Sequence, residues 1–240
     1  PKRPTPDLIR GERIDPVDLF AYERIWVLSR FERPNLLPVL AESDIRSQER
    51  HAFGQGVELG MYALEEIQTT RTLTDDVANL EVQRVLEGQV RRRCAWKGNA
   101  HLCRLDPWLD VKLQKRNVYH RDVEWLFAHA GPDQGALHIT WKEIPRKGSL
   151  VVRAGFTQAS IRNKGGSNTH VRLFVDNDEV GSTLLEPHRY AQETLVFAPP
   201  GGEGTMDVRI EIEASDSSWR QVMLQGNLLS KTPASLAYFL

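Results

Sequence analysis

The chain has 240 residues, of which 40% are hydrophobic and 26% are charged, a composition typical of globular proteins and not of disordered or fibrous ones. Thirty-one Lys and Arg residues nearly balance 32 Asp and Glu residues, and the net charge of −1 argues against a nucleic-acid-binding protein. The sequence contains no apolar run near the roughly 20 residues that a membrane-spanning helix needs.

The first residues, Pro1 to Pro6, are basic and rich in proline, which predicts an extended linker over residues 1–14. Linkers of this kind are common beside membrane anchors. A membrane anchor upstream of Pro1 would account for this segment. A sequence that starts at an arbitrary point within a longer protein would account for it equally well.

Residues 15–114 are predicted to form a helical region. Asp15-Pro16 has the composition of a helix N-terminus, with an N-cap aspartate and proline in the first helical position. Apolar residues then recur at roughly helical spacing after this dipeptide, again over 43–67, and again after Thr74. Three amphipathic helices would form a small bundle or a layer against the second half of the chain.

Residues 115–230 are predicted to form an antiparallel β-sandwich of jelly-roll type, followed by a C-terminal tail at 231–240. Apolar and polar residues alternate in several stretches, most regularly over 206–213, and turn residues recur every eight to twelve positions. In the 206–213 strand the alternation predicts Ile210 in the core and Glu211 on the solvent face. The predicted fold class is therefore α+β, with a helical segment before the sandwich.

The second half also resembles a known family. The sequence stretches 125–131, 135–139 and 150–155, followed by the strands near 171–175 and 208–213, are similar to the galactose-binding-domain-like jelly roll. The resemblance covers about residues 118–228. Many carbohydrate-binding modules and bacterial extracytoplasmic domains share this fold, so it implies a non-catalytic recognition or packing domain and leaves the ligand open.

The two cysteines, Cys94 and Cys103, flank Lys97-Gly98-Asn99, which has the composition of a turn. A turn there would bring the two sulfur atoms together, so we predict a disulfide. Two free thiols are one alternative, and a zinc site that includes His101 is another. The absence of any Cys-x-x-Cys pair disfavours zinc.

Sequence motifs of hydrolases, zinc peptidases and phosphate-binding loops are absent from the chain, which predicts a protein that is not an enzyme and needs no cofactor. The stretch Asp176-Asn177-Asp178 is typical of a hairpin tip, since Asn and Asp favour such turns. A structural calcium near Asp176 and Asp178 is left open, although these residues supply only some of the oxygens that calcium requires. No metal site is predicted otherwise.

Candidate ligand contacts lie in two predicted loops. Trp219 follows a polar stretch at the start of a strand, and an exposed tryptophan can stack on a sugar ring. A loop around Gly165-Gly166 carries side chains that could hydrogen-bond hydroxyl groups or a carboxylate. Those side chains are Arg162, Asn163, Lys164 and Asn168. The competing interpretations are core packing for Trp219 and an ordinary connection for the loop.

The function predicted from the sequence is a non-catalytic extracytoplasmic recognition module that binds cell-envelope glycan through its sandwich loops. The alternative is a structural domain that contacts a partner protein subunit in a larger membrane or envelope assembly. Either function favours the periplasm or the extracellular face of a membrane, with the cytoplasm left open, and neither involves nucleic acid.

Overall fold

The structure is a computed structural model that describes residues 16–19, 24–30, 40–103, 109–118, 121–131, 135–163, 165–187, 189, 192–199, 203–216 and 218–239. The chain divides into two compact units. Unit 1 consists mainly of Pro1–Thr69 with Ser230–Tyr238, and unit 2 consists mainly of Thr70–Leu229. The linker predicted over residues 1–14 and the side chain of Lys164 lie outside the described residues.

The described residues of unit 1 form a short helix and a three-stranded antiparallel sheet in the order β1-β3-β2. Its last segment, Ala234–Phe239, is a 3-10 helix whose start is held by Asp44. The two carboxylate oxygens of Asp44 accept hydrogen bonds from the backbone N–H groups of Ala234 (2.8 Å) and Ser235 (2.7 Å). The elements of unit 1 are α1 (Pro16–Leu19), β1 (Arg24–Arg30), β2 (Ile45–Ala52) and β3 (Val57–Leu64).

The helical region predicted for 15–114 is wrong wherever the structure describes it, apart from the four residues of α1 and short 3-10 turns. The stretch 43–67 is a β-hairpin, because Gly54-Gln55-Gly56 adopts φ values of 79°, 50° and 72°, which no α-helix can accommodate. The third predicted helix is interrupted in the same way at Glu87-Gly88 (φ 53° and 74°). The apolar spacing that suggested helices fits short strands joined by tight turns equally well.

Unit 2 contains thirteen strands and one α-helix among its described residues, and the boundary predicted near residue 115 falls within one of the strands. In chain order the elements are β4 (Thr69–Thr72), β5 (Glu81–Leu86), β6 (Gln89–Lys97), β7 (Ala100–Leu102), β8 (Lys112–Val118), β9 (Arg121–His129), β10 (Ala136–Pro145), β11 (Ser149–Phe156), α2 (Gln158–Arg162), β12 (Thr169–Val175), β13 (Asp178–Leu185), β14 (Gln192–Phe197), β15 (Thr205–Ala214) and β16 (Gln221–Leu229).

Two antiparallel sheets of unit 2 pack face to face, which confirms the predicted β-sandwich. One sheet has the order β13-β12-β15-β10-β5-β6-β7, and the other has the order β14-β11-β16-β9-β8 with β4 paired to β16. Apolar side chains from both sheets, such as Ile139 and Val152, form one buried core. Trp141 also lies in this core and donates its indole N–H to the carbonyl of Leu73 at 2.8 Å.

The alternation predicted for β15 is correct for Ile210, which lies in the core, and wrong for Glu211. Glu211 is only 6% exposed, although it lies on the outer face of its sheet. Side chains from three strands cover it: Arg209 at 3.0 Å, Arg172 at 3.3 Å and His138 at 3.3 Å. Burial also lowers the pKa of His138 against the opposing effect of Glu211.

The predicted disulfide is confirmed. Cys94 in β6 and Cys103 just after β7 are bonded, with their Cα atoms 4.2 Å apart. The predicted turn lies between the two strands, with Gly98 at φ 71° and Ala95 paired to Leu102. The hairpin register therefore places the two cysteines opposite each other, as the sequence indicated.

Candidate functional site

One end of the sandwich is organised by hydrogen bonds between α2 and the start of β16. Thr157 is the N-cap of α2, and its hydroxyl accepts from the N–H of Ser160 at 3.2 Å. The hydroxyl of Ser160 in turn accepts from the N–H of Gln221 at 3.1 Å and donates to the Gln221 carbonyl at 3.3 Å. These three polar residues fix the point from which β16 leaves the preceding loop.

Two loops, which we call loop A (163–168) and loop B (215–220), meet through one serine and one aspartate. The N–H of Ser167 donates to the carbonyl of Asp216 at 2.8 Å, and its hydroxyl accepts from the N–H of Asp216 at 2.9 Å. The Asp216 carboxylate accepts from the N–H of Ser218 at 3.0 Å. Hydrogen bonds from Ser218 and from the Gly166 backbone, with the charge of Arg220, lower the pKa of Asp216.

Gly166 allows the closest approach of the two loops. Its φ is +87°, and a Cβ atom at this position would lie 2.4 Å from the Ser218 carbonyl oxygen and 2.4 Å from Nε of Arg220. No other residue fits without movement of the neighbouring backbone. Loop A therefore depends on glycine for a packing reason as well as for its backbone conformation.

The buried side chain of Arg220 holds the end of loop B in place. Its side chain is fully buried and donates to the carbonyls of Gly165 and Ser160, the latter at 3.3 Å. Its guanidinium lies over the ring of Phe156, 5.2 Å from the centroid. Burial lowers its pKa, and the negative charge of Asp216 opposes that effect.

Two further basic side chains, Arg84 and His129, are buried near Arg220. Arg84 donates to the carbonyl of His129 at 2.7 Å, and burial lowers the pKa of Arg84 to about 10. The pKa of His129 is lowered to about 4, chiefly by burial, with smaller contributions from the charges of Arg84 and Arg220. His129 is paired with Gln221 in the sheet, which places this group behind loop B.

In the sequence of loop B, Trp219 lies between Ser218, whose N–H is hydrogen-bonded to Asp216, and the buried Arg220. Trp219 is 52% exposed and has φ 60°, a left-handed conformation that is uncommon for a bulky side chain. Its carbonyl accepts from the N–H of Gln221 at 3.0 Å. The surrounding contacts therefore hold a large aromatic ring at the surface in an otherwise unfavourable backbone conformation.

A cleft of about 770 Å³ opens beside the junction of the two loops. Six of the nine residues that line it have polar side chains, and two of them, Arg172 and Glu213, form an ion pair at 3.0 Å. The residues that line the cleft are Gly166, Ser167, Asn168, His170, Arg172, Pro187, Glu213, Ala214 and Ser215. Such a surface offers hydrogen-bond donors and acceptors in fixed directions.

The structure brings together part of the predicted site. Asn168 lines the cleft, and Trp219 lies in the loop that is bonded to the loop of Asn168. Arg162 is exposed at the end of α2, and the Asn163 amide donates to the Ala159 carbonyl at 2.9 Å, so that both lie at the start of loop A and outside the cleft lining. Lys164 lies outside the described residues.

Sequence reasoning missed the residues that hold or line the site from other strands. Arg172 and Glu213 belong to β12 and β15, and each looked like an ordinary solvent-facing residue of an alternating strand. Ser167 and Asp216 are separated by 49 positions in the chain. Only the pairing of β12 with β15 places the loops that precede and follow these strands side by side.

The predicted hairpin tip at Asp176 is confirmed as a two-residue turn, with φ values of 50° and 79° at Asp176 and Asn177. The Asp176 carboxylate accepts from Arg146 and from the N–H of Asp207 at 2.9 Å. Within the described part of the chain, no three His, Cys, Asp or Glu residues are grouped so as to hold a metal ion. No helix in that part is long and apolar enough to cross a membrane.

Comparison with protein-family models and with curated proteins found no match. Among solved structures, the chain is similar to the CBM51 module from Clostridium perfringens GH95 in complex with methyl-galactose, with 10% identity, 48% of this chain and 79% of that chain covered, and a TM-score of 0.35. A second similar structure contains the CBM51-2 module, in complex with GlcNAc, and the INT domains of Clostridium perfringens ZmpB. Its identity to this chain is 9%, the match covers 88% of this chain and 50% of that chain, and the TM-score is 0.37. The chain spans half the length of that second structure.

A third similar structure is the isomalto-dextranase of Arthrobacter globiformis T6 complexed with panose, with 11% identity, 75% of this chain and 26% of that chain covered, and a TM-score of 0.31. Two of these three structures contain CBM51 modules, and all three TM-scores are below 0.5.

Proposed function

We propose that unit 2 is a non-catalytic recognition module that binds a hydroxyl-rich glycan where loop A and loop B meet. The observation that carries the proposal is Trp219, which is 52% exposed in loop B, the loop that Asp216 bonds to Ser167 of the cleft lining. A half-exposed indole offers a flat apolar face on which a sugar ring can stack.

The chemistry of the two loops suits a sugar. A pyranose ring presents one apolar face, which stacks on an indole, and a rim of hydroxyl groups, which need both donors and acceptors. Asn168 and His170 supply donors and acceptors on the cleft side, and Glu213 supplies acceptors. Arg162 and Asn163, at the start of loop A and outside the cleft lining, would extend the polar rim.

Binding to a glycan array, followed by titration calorimetry of the full chain with the best ligand, tests this proposal. The array would include galactosides, N-acetylglucosamine and glucan oligosaccharides. We expect Trp219→Ala to weaken binding by about tenfold or more, since loss of a stacking contact contributes roughly 1–2 kcal/mol. Asn168→Ala should weaken binding through the loss of one or two hydrogen bonds.

The matched control is Trp26→Ala, which removes another exposed tryptophan, 56% exposed on β1 of unit 1. This control should leave glycan binding unchanged. An array without a glycan ligand, or a ligand whose affinity is the same for wild type and Trp219→Ala, would contradict the proposed site.

We further propose an extracytoplasmic location, in the periplasm or on the extracellular face of a membrane. The disulfide between Cys94 and Cys103 supports it, because structural disulfides persist mainly in oxidising compartments. Mass spectrometry of the protein from its native cells, alkylated before any reduction, tests this: labelled thiols at both positions would contradict the location.

The alternative function, an assembly domain that contacts a partner protein subunit, is favoured by one surface of unit 1. Trp26 and Leu28 lie on the same face of β1 and are 56% and 70% exposed, and β1 is the outer strand of the described sheet. Interface cores are enriched in aromatic residues of this kind. Sedimentation of wild type against the double variant Trp26→Ser, Leu28→Ser tests contact between copies, which should disappear in the variant.

A further inference from the structure

Strand β6 is strongly basic and open to solvent. Its sequence from Gln89 to Lys97 contains Arg91, Arg92, Arg93 and Lys97 and no acidic residue, and all four cationic side chains are exposed. On one side β6 pairs with β5, and on the other side β7 covers only residues 95–97. The segment 89–93 is therefore an outer edge among the described strands of this sheet.

The cations of β6 are not neutralised within the described part of the protein. Among the described residues, none of the four forms an ion pair. Other cations on the outer face of the same sheet form ion pairs: Lys142 lies 2.7 Å from Asp207, and Arg172 lies 3.0 Å from Glu213. A chain with a net charge of −1 thus concentrates four positive charges in nine residues, and none of the four has an ionic partner among the described residues.

The hairpin that carries these charges is preorganised. The disulfide from Cys94 to Cys103 joins β6 to the end of β7, and the buried His101 lies 2.6 Å from the Val77 carbonyl oxygen through Nε2. The ring of Trp96 packs at a tilt against the His101 ring, with centroids 5.0 Å apart, and remains 36% exposed. An aromatic surface is therefore fixed on the same face of β6 as Arg92, and the span from Arg92 to Lys97 is about 17 Å for an extended strand.

We propose that β6 binds an anionic polysaccharide that carries sulfate or uronate groups, at a surface separate from the loop site. Arginine guanidinium groups bind sulfate and carboxylate oxygens through paired hydrogen bonds. Arg93 and Lys97 lie on one face of β6 and Arg92 and Trp96 on the other, so a polysaccharide that follows the open edge can contact both sets. Trp96 adds a flat apolar surface for a sugar ring, which a purely electrostatic edge would not need. This proposal goes beyond binding at loops A and B and does not depend on it.

Neither protection from aggregation nor binding of nucleic acid accounts for this basic edge as well. Exposed charges on an edge strand prevent aggregation, but charges of either sign do so, and such a role requires neither the clustering of four cations nor Trp96 beside them. A nucleic acid would also attract arginine. The disulfide in this hairpin favours an oxidising compartment, where polysaccharides and not nucleic acids are the common polyanions.

The test measures binding of the full chain to heparin, alginate and duplex DNA at 0.15 M salt, the ionic strength near which long-range charge effects are largely screened. The variant Arg91→Ser, Arg92→Ser, Arg93→Ser should bind heparin about tenfold more weakly or worse. The matched control, Lys115→Ser, Arg116→Ser, Lys147→Ser, removes three exposed cations elsewhere and changes the net charge by the same amount. It should bind nearly as well as wild type.

A third variant, Trp96→Ala, separates recognition from simple charge attraction, because it should weaken binding of both polysaccharides without a change in net charge. Thermal unfolding of each variant verifies that the fold is retained. Equal loss in the two triple variants, no binding of heparin or alginate by wild type, or tighter binding of DNA than of either polysaccharide would overturn the proposal.

Discussion

His129 should make the stability of this protein depend on pH between about 6.5 and 4. The side chain is 4% exposed at the end of β9, with Nδ1 2.7 Å from the Ala130 carbonyl oxygen. Burial lowers its pKa to about 4, and the neighbouring charges of Arg84 and Arg220 act in the same direction. The folded protein therefore keeps this imidazole neutral at pH values where an exposed histidine is protonated.

The sign and size of the effect follow from the two pKa values. Between pH 6.5 and 4 the unfolded chain binds a proton at this position that the folded protein does not, so the free energy of unfolding decreases as the pH falls through this range. The contribution is fully present above pH 6.5 and is lost by about pH 4. At 1.36 kcal/mol per pKa unit, the gap between 6.5 and about 4 corresponds to about 3 kcal/mol.

Urea denaturation of wild type and His129→Gln at intervals from pH 8 to pH 4 measures this dependence. The variant removes the titrating group, so the difference in unfolding free energy between the two proteins should change by about 3 kcal/mol across the range. His138, whose pKa burial also lowers, remains in both proteins and cancels in the difference. Carboxylates that titrate near pH 4 cancel in the same way.

The control is His170→Gln, which replaces an exposed histidine of β12. Its curve should run parallel to that of wild type. If the His129→Gln curve also runs parallel to wild type down to pH 4, the buried neutral imidazole does not exist and the environment assigned to the end of β9 is wrong.

Three further outcomes are expected. Gly166→Ala should lower the unfolding free energy by about 1–3 kcal/mol and abolish glycan binding, because its Cβ has no space and its φ is positive. In the control Gly165→Ala the added Cβ lies 3.5 Å from the nearest atom, so stability, measured by thermal unfolding, and glycan binding, measured by calorimetry, should not change. Glu211→Gln should cost roughly 1–3 kcal/mol in chemical denaturation, because it removes the negative charge that faces Arg209 at 3.0 Å and one of the two carboxylates that face Arg172. A neutral outcome would mean that the carboxylate is solvated. Replacing Cys94 and Cys103 together with serine should cost about 2–3 kcal/mol of stability, and an unchanged unfolding midpoint would refute a structural role for the bond.

Several features of this protein could be predicted from the sequence because they depend on residues close together in the chain. The disulfide follows from a turn at Gly98 between two cysteines nine positions apart, and the tip at Asp176-Asn177 follows from residues that tolerate positive φ. The core position of Ile210 follows from a two-residue period that only a strand with one buried face requires. These local patterns were sufficient to indicate a β-sandwich in the second half.

Other features were decided by contacts between residues far apart in the chain. The stretch 43–67 has apolar spacing that suits a helix or two strands, and the choice was made by the turn at Gly54-Gln55-Gly56 and by pairing with β1. Glu211 is buried because Arg172 and His138 arrive from neighbouring strands. The meeting of loops A and B, which carries the candidate site, depends on the pairing of β12 with β15, and no local sequence signal encodes a register between strands so distant.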